Sequence, residues 1–215
     1  MINFPIILAL LFGTTLLLGA SSKSKNRFFN AVTHGQCATV ESILSAKPQL
    51  AEQSDAIVWA VSWNQRPICE LLIQHGCDLR TRSAALLRVA TNHAEMVRFL
   101  IEKGADAKAV ASDGFTPLHA AAVQGNVESL QILHDHGANL ETVFELWHAT
   151  PLLCAACCGQ LETIDLLLSL GANPNAVDIA NGLPRWKAPV VQSERLKACE
   201  ERIRKAQRSK RASHV

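Results

Sequence analysis

An internal repeat constrains the fold of this chain more than any other feature of its sequence. A Thr-Pro pair, a glycine and a Gly-Ala-Asn triplet recur in the same order and at the same offset. They lie at Thr116-Pro117, Gly125 and Gly137-Ala138-Asn139, and again at Thr150-Pro151, Gly159 and Gly171-Ala172-Asn173. Repeats of roughly 20 to 50 residues are typical of solenoids, in which a helical unit cannot bury its apolar face alone and is stable only when stacked on its neighbours.

The residue types at these landmarks predict two helices in each repeat. Thr116 and Thr150 can cap a first helix through the hydroxyl group, and the proline after each fits the first helical position, where no backbone donor is needed. Gly125 and Gly159 suit the positive φ that ends this first helix. The residues that follow have apolar side chains at helical spacing, which predicts a second helix ending at the next glycine.

This pattern resembles the ankyrin repeat, in which Thr-Pro-Leu-His is followed by two small residues, a glycine, a second helix and Gly-Ala-Asp or Gly-Ala-Asn. The resemblance implies an all-α solenoid of about five stacked helix-turn-helix repeats, with short β-turn fingers between the later ones. It gives structural roles to Thr116, Pro117, Leu118, His119, Gly125 and Gly137, and to Thr150, Pro151, Leu152, Gly159 and Gly171. His119 is expected to form hydrogen bonds within its turn.

The register extends towards the N-terminus because the two glycine landmarks of a repeat stand at a fixed distance, from 125 to 137 and from 159 to 171. Asn92 and Gly104 keep this distance, as do Asn64 and Gly76, and Gly35 begins a fifth pair in which a lysine replaces the second glycine. The predicted repeats lie near 26–49, 55–79, 83–108, 112–141 and 146–176, within a domain that spans 23–178.

The early repeats are shorter than the later ones. The first-glycine position moves from 35 to 64 and then to 92, but it takes longer steps from 92 to 125 and from 125 to 159. The shorter steps omit about five residues, which we expect to be missing from the finger. The chain should therefore begin as a fingerless, helix-rich stack and form fingers only around 109–115 and 142–149.

The residues after the fifth repeat predict a linker and capping helix over 179–208, followed by a disordered basic tail over 209–215. Leu196, Cys199 and Ile203 are spaced to lie on one helix face, which can cover the open end of the solenoid. The basic stretch from 202 to 211 also fits a docking helix or a short nuclear-import signal.

Residues 1–22 form a hydrophobic N-terminal segment outside the repeats. Residues 2–20 carry no charge, and in a helix they would span about 28 Å, close to the thickness of the hydrocarbon core. Lys23, Lys25 and Arg27 follow, so an uncleaved anchor would leave the repeats in the cytosol. A cleaved signal peptide would instead make the protein secreted. A mis-assigned start and a buried helix are the remaining interpretations.

Composition and charge narrow the possible functions. The chain has 48% hydrophobic and 19% charged residues, as expected for a folded protein. Its 21 basic and 19 acidic residues give a net charge of only +2, so nucleic-acid binding is not expected. The seven cysteines are odd in number and lack zinc-finger spacing, which predicts free thiols in a reducing compartment.

No motif in the sequence predicts catalysis. It has no glycine-rich phosphate loop, no nucleophile elbow and no paired-carboxylate motif. His134 and His136 are separated by a single residue, and side chains at that spacing do not face one another on a helix, as metal binding would need. We therefore expect a non-catalytic protein with no cofactor and no metal site.

The resemblance implies a surface that binds another protein, formed by the finger tips and the exposed ends of the first helices. Tryptophan often dominates binding hot spots. Local packing of Trp63 and Trp147 is the other interpretation. The residues expected on this surface are Trp63, Thr91, Ser112, Asp113, Phe115, Gln124, Phe144, Glu145, Trp147, His148 and Cys158. The expected function is a protein-binding scaffold, anchored in a membrane through residues 2–20 if they are uncleaved. A secreted ankyrin-repeat effector is the alternative.

Overall fold

The computed structural model describes residues 23–53, 55–145, 148–176 and 193–212. The predictions for residues 1–22, Trp147 and most of the linker before the last helix fall outside these ranges. Within them lie twelve α-helices, a 3-10 helix at Pro174–Ala176 and one isolated β-bridge. The α-helices are α1 Lys23–Thr33, α2 Cys37–Ala46, α3 Gln49–Gln53, α4 Ala56–Ser62, α5 Arg66–Gln74, α6 Ser83–Ala90, α7 Ala94–Glu102, α8 Pro117–Gln124, α9 Val127–Asp135, α10 Pro151–Cys157, α11 Leu161–Ser169 and α12 Ser193–Ala212.

Ten of these helices form five stacked pairs. The first helices pack against each other in chain order, from α1 on α4 to α8 on α10, and the second helices pack behind them, with α2 on α5, α7 on α9 and α9 on α11. Each pair contributes to one continuous core, in which Leu72, Leu100, Leu133 and Leu167 are fully buried. The prediction of an all-α solenoid of five helix pairs is confirmed.

The Thr-Pro landmark begins the first helix of the last two repeats. Thr116 Oγ1 accepts a hydrogen bond from the backbone N–H of His119, and Thr150 Oγ1 accepts one from Leu153. A proline follows each threonine at a position where a missing N–H leaves nothing unpaired. The residues after the two caps are all buried: Pro117, Leu118, Pro151 and Leu152.

The glycine landmarks end the helices in the left-handed conformation. Gly125, with φ +76°, ends a first helix, and Gly137, with φ +86°, ends a second. Gly159 and Gly171 do the same one repeat later, with φ +70° and +96°. A side chain with a Cβ atom is strained at such φ values, which explains why glycine recurs there.

An aspartate or asparagine then turns the chain away from the second helix in each of the last four repeats. Its side-chain oxygen accepts a hydrogen bond from the backbone N–H of the next residue but one, at 2.9 to 3.2 Å. This Asx turn explains the acidic or amide residue in the Gly-Ala-Asn landmark. The four residues are Asp78, Asp106, Asn139 and Asn173.

Two features of the stack differ from the prediction. The short helix α3 lies between the first two repeats, where the sequence predicts only a connection, and its Ala51 is fully buried. The capping helix α12 continues to Ala212, so residues 209–212 are helical and do not belong to a disordered tail. No helix in the described ranges is long and apolar enough to span a bilayer.

The capping helix α12 packs against the last repeat. Cys199 and Ile203 are fully buried, and Leu196 packs against the same core. Polar contacts add to this, since Arg202 reaches Asp165 and Gln207 Nε2 donates to the carbonyl oxygen of Pro174 at 2.8 Å. The helix therefore takes the place that a sixth repeat would occupy.

Candidate functional site

The first finger, residues 109–115, is a tight turn with an exposed polar tip. The backbone N–H of Ala111 donates to the carbonyl oxygen of Phe115 at 3.3 Å, and Gly114 provides the positive φ that the turn needs. Asp113 Oδ1 accepts the N–H of Phe115 at 2.9 Å. Ser112 and Asp113 are exposed, as the sequence predicts for this tip.

The second finger, residues 142–149, contains a backbone bridge at its base. Phe144 and Ala149 exchange two backbone hydrogen bonds, at 2.9 and 3.3 Å. Glu145 and His148 are exposed, as predicted. Trp147, the tryptophan expected at this tip, lies outside the described residues.

The two phenylalanines of the fingers pack against each other instead of facing solvent. The rings of Phe115 and Phe144 meet edge to face with centroids 5.0 Å apart. Phe144 is only 4% exposed, and Phe115 is half-buried. The prediction that Phe144 is available to a partner is wrong, because this ring fills the space between the fingers.

Arg88, on α6 of the preceding repeat, contacts two residues of the first finger. The sequence did not predict this role. The guanidinium carbon of Arg88 lies 4.7 Å from the centroid of Phe115, and Nη1 is 3.9 Å from Asp113 Oδ1. Burial lowers the pKa of Arg88, and the carboxylate of Asp113 opposes this shift. The available signal was that Arg88 is the only charged residue in the sequence of α6.

His119 joins the same finger region to the next repeat. Its Nδ1 accepts the N–H of Thr116 at 3.2 Å, so the ring proton resides on Nε2, which donates to the carbonyl oxygen of Ala149 at 3.0 Å. Burial lowers the pKa of His119 to about 4, and the imidazole is therefore neutral near pH 7. The expected hydrogen bond within the turn is present, together with one across the repeat boundary.

The ends of the first helices display side chains of very different exposure. Trp63, which follows α4, is 58% exposed. Gln124 and Cys158, which occupy the same position in the last two repeats, are half-buried. Thr91 in the third repeat is fully buried, so the prediction that it faces a partner is wrong.

The burial of Thr91 results from a different turn in the third repeat. In the other four repeats the backbone N–H that follows the turn donates to the carbonyl oxygen five residues earlier, as Gln65 does with Ala60. In the third repeat the N–H of His93 bonds to the nearer carbonyl of Ala90, at 2.7 Å. The turn therefore brings Thr91 inward although Asn92 keeps the sequence register.

Thr91 is a polar link between the third and fourth repeats. Its hydroxyl donates to Oε1 of Gln124 at 2.5 Å, and its carbonyl oxygen accepts a hydrogen bond from Ser129 Oγ at 2.7 Å. These hydrogen bonds give the buried polar groups of Thr91 their partners. They also engage the amide oxygen of Gln124 in a contact between repeats. Gln124 is thus partly a structural residue.

Two histidines near the end of α9 lie beside polar groups of the same helix. His136 Nδ1 lies 2.8 Å from the carbonyl oxygen of Ile132, and His134 Nδ1 lies 3.6 Å from Asp135 Oδ1. Across the described residues, no group of three or more His, Cys, Asp or Glu side chains is placed to hold a metal ion.

Known proteins contain repeats similar to those of this chain. The family described as ankyrin repeats (3 copies) matches residues 28–111 and 89–178, which together cover more than half of the chain. Protein phosphatase 1 regulatory subunit 12A from Mus musculus and from Rattus norvegicus are each 39% identical over 61 residues, or 28% of this chain. The match spans only 6% of the length of those relatives. With its five stacked helix pairs, the chain belongs to the ankyrin-repeat family, whose repeats are protein–protein interaction modules.

Proposed function

We propose that this chain is a non-catalytic scaffold that binds another protein through its finger tips and the exposed end of α4, the first helix of the second repeat. We call this the binding surface and define it by Trp63, Ser112, Asp113, Glu145 and His148, which are all exposed. The observation that carries the proposal is the 58% exposure of Trp63. A large apolar side chain left in water is a common mark of an interaction site.

The surroundings of Trp63 suit a partner with an apolar side chain. Trp59 stands one helical turn earlier on α4, so the two indoles share a helix face. Trp59 meets Phe29 of the first repeat edge to face, with ring centroids 6.4 Å apart. Trp59 and Phe29 are half-buried, so part of each ring remains open to solvent beside Trp63. Burying one such indole typically contributes about 2 kcal/mol, or roughly a thirtyfold change in affinity.

The tip of the first finger adds a rigid polar contact. Asp113 caps the turn through Phe115 and lies beside Arg88, yet half of its side chain remains exposed. Its carboxylate is therefore fixed before a partner arrives, which reduces the entropy lost on binding.

Site-specific photo-crosslinking tests this surface. Trp63 is replaced by a photoreactive phenylalanine derivative in the full chain, and the protein is irradiated in cells. We expect a covalent adduct with a defined protein, identified by mass spectrometry. Arg98, which is exposed on the second helix α7, is the matched control position. Adducts that form at position 98 but not at 63 would place the partner on the other side of the stack.

We also propose that residues 2–20 anchor the chain in a membrane with the repeats in the cytosol. Support comes from the uncharged segment itself and from Lys23, Lys25 and Arg27 after it. The intact mass of the expressed protein tells whether the segment is retained. A glycosylation tag after Val215 should stay unmodified, whereas a glycosylated tag would favour the secreted effector.

Trp147 remains a proposed member of the binding surface on sequence grounds alone. It stands in the second finger between Glu145 and His148. The same crosslinking group at position 147 should capture the partner found at position 63. A partner that is captured only at position 63 would remove the second finger from the surface.

A further inference from the structure

The capping helix α12 has an outward face with arginines that the stack does not use. Its inward face is occupied by Cys199 and Ile203. Arg204, Arg208 and Arg211 follow one another at i,i+4 and i,i+3 spacing, so they share one helix face, and all three are exposed. We call these three residues the arginine row.

Positive charge is concentrated around the arginine row. Residues 202–211 contain six basic side chains and no carboxylate. Arg202 turns towards the stack and pairs with Asp165, and Lys210 Nζ lies 3.3 Å from Asn173 Oδ1. Arg204 has Glu200 at 3.8 Å on its own helix. Counting only the described residues, no carboxylate oxygen lies within 4.0 Å of the other two members of the row.

The helix dipole explains only part of this pattern. Basic side chains are favoured near a helix C-terminus, but the effect is confined to the last turn. Arg211 lies in that turn of α12, which ends at Ala212. Arg204 lies well before it, where the dipole provides no comparable stabilisation. The arginine row therefore needs another explanation.

The length of the arginine row and the acidic residues beside it limit the kind of anion that it can bind. From Arg204 to Arg211 the helix rises about 10 Å, and planar guanidinium groups bind carboxylates through two parallel hydrogen bonds. Glu194, Glu200 and Glu201 border the row on its N-terminal side. A nucleic-acid backbone or a flat anionic membrane would extend over these carboxylates, whereas a short acidic segment would not.

The buried apolar face of α12 further disfavours a lipid surface. Helices that lie on membranes insert their apolar side chains below the headgroups. Here Cys199 and Ile203 are fully buried against the last repeat. We propose that the arginine row binds a short acidic segment of a protein, with carboxylates spaced along a helix or an extended strand. This surface is separate from the binding surface around Trp63.

Fluorescence anisotropy with the full chain tests the proposal. The probe is a fluorescein-labelled peptide of about 12 residues with three glutamates at helical i,i+4 spacing and alanines elsewhere, so that its carboxylates span about the length of the row. We expect saturable binding that weakens as salt rises from about 50 to about 300 mM. The triple variant R204Q/R208Q/R211Q should bind at least about tenfold more weakly and keep its helical circular dichroism.

A second triple variant, R27Q/R80Q/R98Q, removes the same charge from exposed arginines elsewhere and should bind like the wild type. An equal loss in both variants would show a net-charge effect and overturn the site, as would no binding by the wild type. Tighter binding to a single-stranded oligonucleotide, or to phosphatidylcholine vesicles containing phosphatidylserine, would show that the occupant is wrong. Trp63→Ala should leave peptide binding unchanged, which separates this proposal from the proposed function.

Discussion

Gln160 lies directly over Gly125, the residue that ends the first helix of the preceding repeat. Its Nε2 donates to the carbonyl oxygen of Val123 at 3.0 Å, and a Cβ atom added at Gly125 would come within 2.4 Å of its Oε1. Gln65 covers Gly35 in the same way, where an added Cβ would lie 2.6 Å from the amide oxygen. The same Gly-Gln contact thus joins the first two repeats and the last two.

Gly125→Ala should destabilise the fold for two separable reasons. Alanine is strained at φ +76°, which costs about 1 to 2 kcal/mol, and its methyl group would push Gln160 away from Val123, which costs about 1 kcal/mol more. Gly171→Ala is the control, because φ is +96° but nothing lies within 4 Å of the added Cβ. Urea unfolding should show a larger loss of unfolding free energy for Gly125→Ala than for Gly171→Ala. Equal losses would mean that the contact with Gln160 does not stabilise the fold.

His119 should make stability depend on pH between about 6.5 and 4. Burial lowers its pKa to about 4 in the fold, whereas unfolded histidine titrates near 6.5. Below pH 6.5 the unfolded state binds a proton that the folded state does not, so stability is complete above 6.5 and is lost as the pH falls. The loss from this residue reaches about 3 kcal/mol near pH 4.

His119→Gln isolates this contribution, because glutamine is neutral at every pH. The variant should be less stable than the wild type at about pH 7, and the difference should shrink as the pH falls towards about 4. Chemical unfolding at several pH values measures the difference. A constant difference across this range would mean that the imidazole titrates normally in the fold.

The cysteines should differ in reactivity. Burial raises the pKa of the Cys69 and Cys157 thiols to about 12 and that of Cys199 to about 11. Since the thiolate is the nucleophile, iodoacetamide at about pH 8 should label the half-buried Cys37 and Cys158 first in the native chain. Peptide mass spectrometry gives the order. Equal labelling rates at Cys157 and Cys158 in the native chain would contradict the burial of Cys157. In urea, all the cysteines should be labelled at similar rates.

Phe144 should behave as a core residue although it lies in a finger. It is 4% exposed and packs on Phe115, so Phe144→Ala should lower the free energy of unfolding by about 3 to 5 kcal/mol. Ser112→Ala, at the exposed tip of the other finger, should change it by less than about 0.5 kcal/mol. If both substitutions change the free energy of unfolding only slightly, Phe144 is not a core residue and is available to a partner.

The sequence predicted the structure correctly at positions where the residue type has a single common structural role. Thr116, with its proline and His119, predicted the cap and the turn correctly, because that combination satisfies its own backbone donors locally. Gly125 likewise predicted the end of its helix. These are short-range relationships, so the repeat register was sufficient to place them.

One failure came from a local turn that the repeat register does not determine, and another came from a contact between two fingers. Asn92 occupies the same register position as Asn64, yet only Asn64 has a positive φ, and the resulting turn buries Thr91. The sequence analysis placed Phe144 at a finger tip together with Glu145 and His148. Its packing on Phe115 joins two different fingers that a whole helix pair separates in the chain, and no local pattern reveals such a contact.

We propose that the side chains that bind a partner are distinct from those that hold the stack together. Trp63→Ala and Leu130→Ala test it most directly when unfolding free energy and affinity for the crosslinked partner are measured on the same proteins. Leu130 is fully buried, so its loss should cost about 2 to 5 kcal/mol of stability. Trp63→Ala should change stability by less than about 0.5 kcal/mol and weaken binding roughly thirtyfold. If Trp63→Ala destabilises the fold as much as Leu130→Ala, the indole is a packing residue and the claim fails.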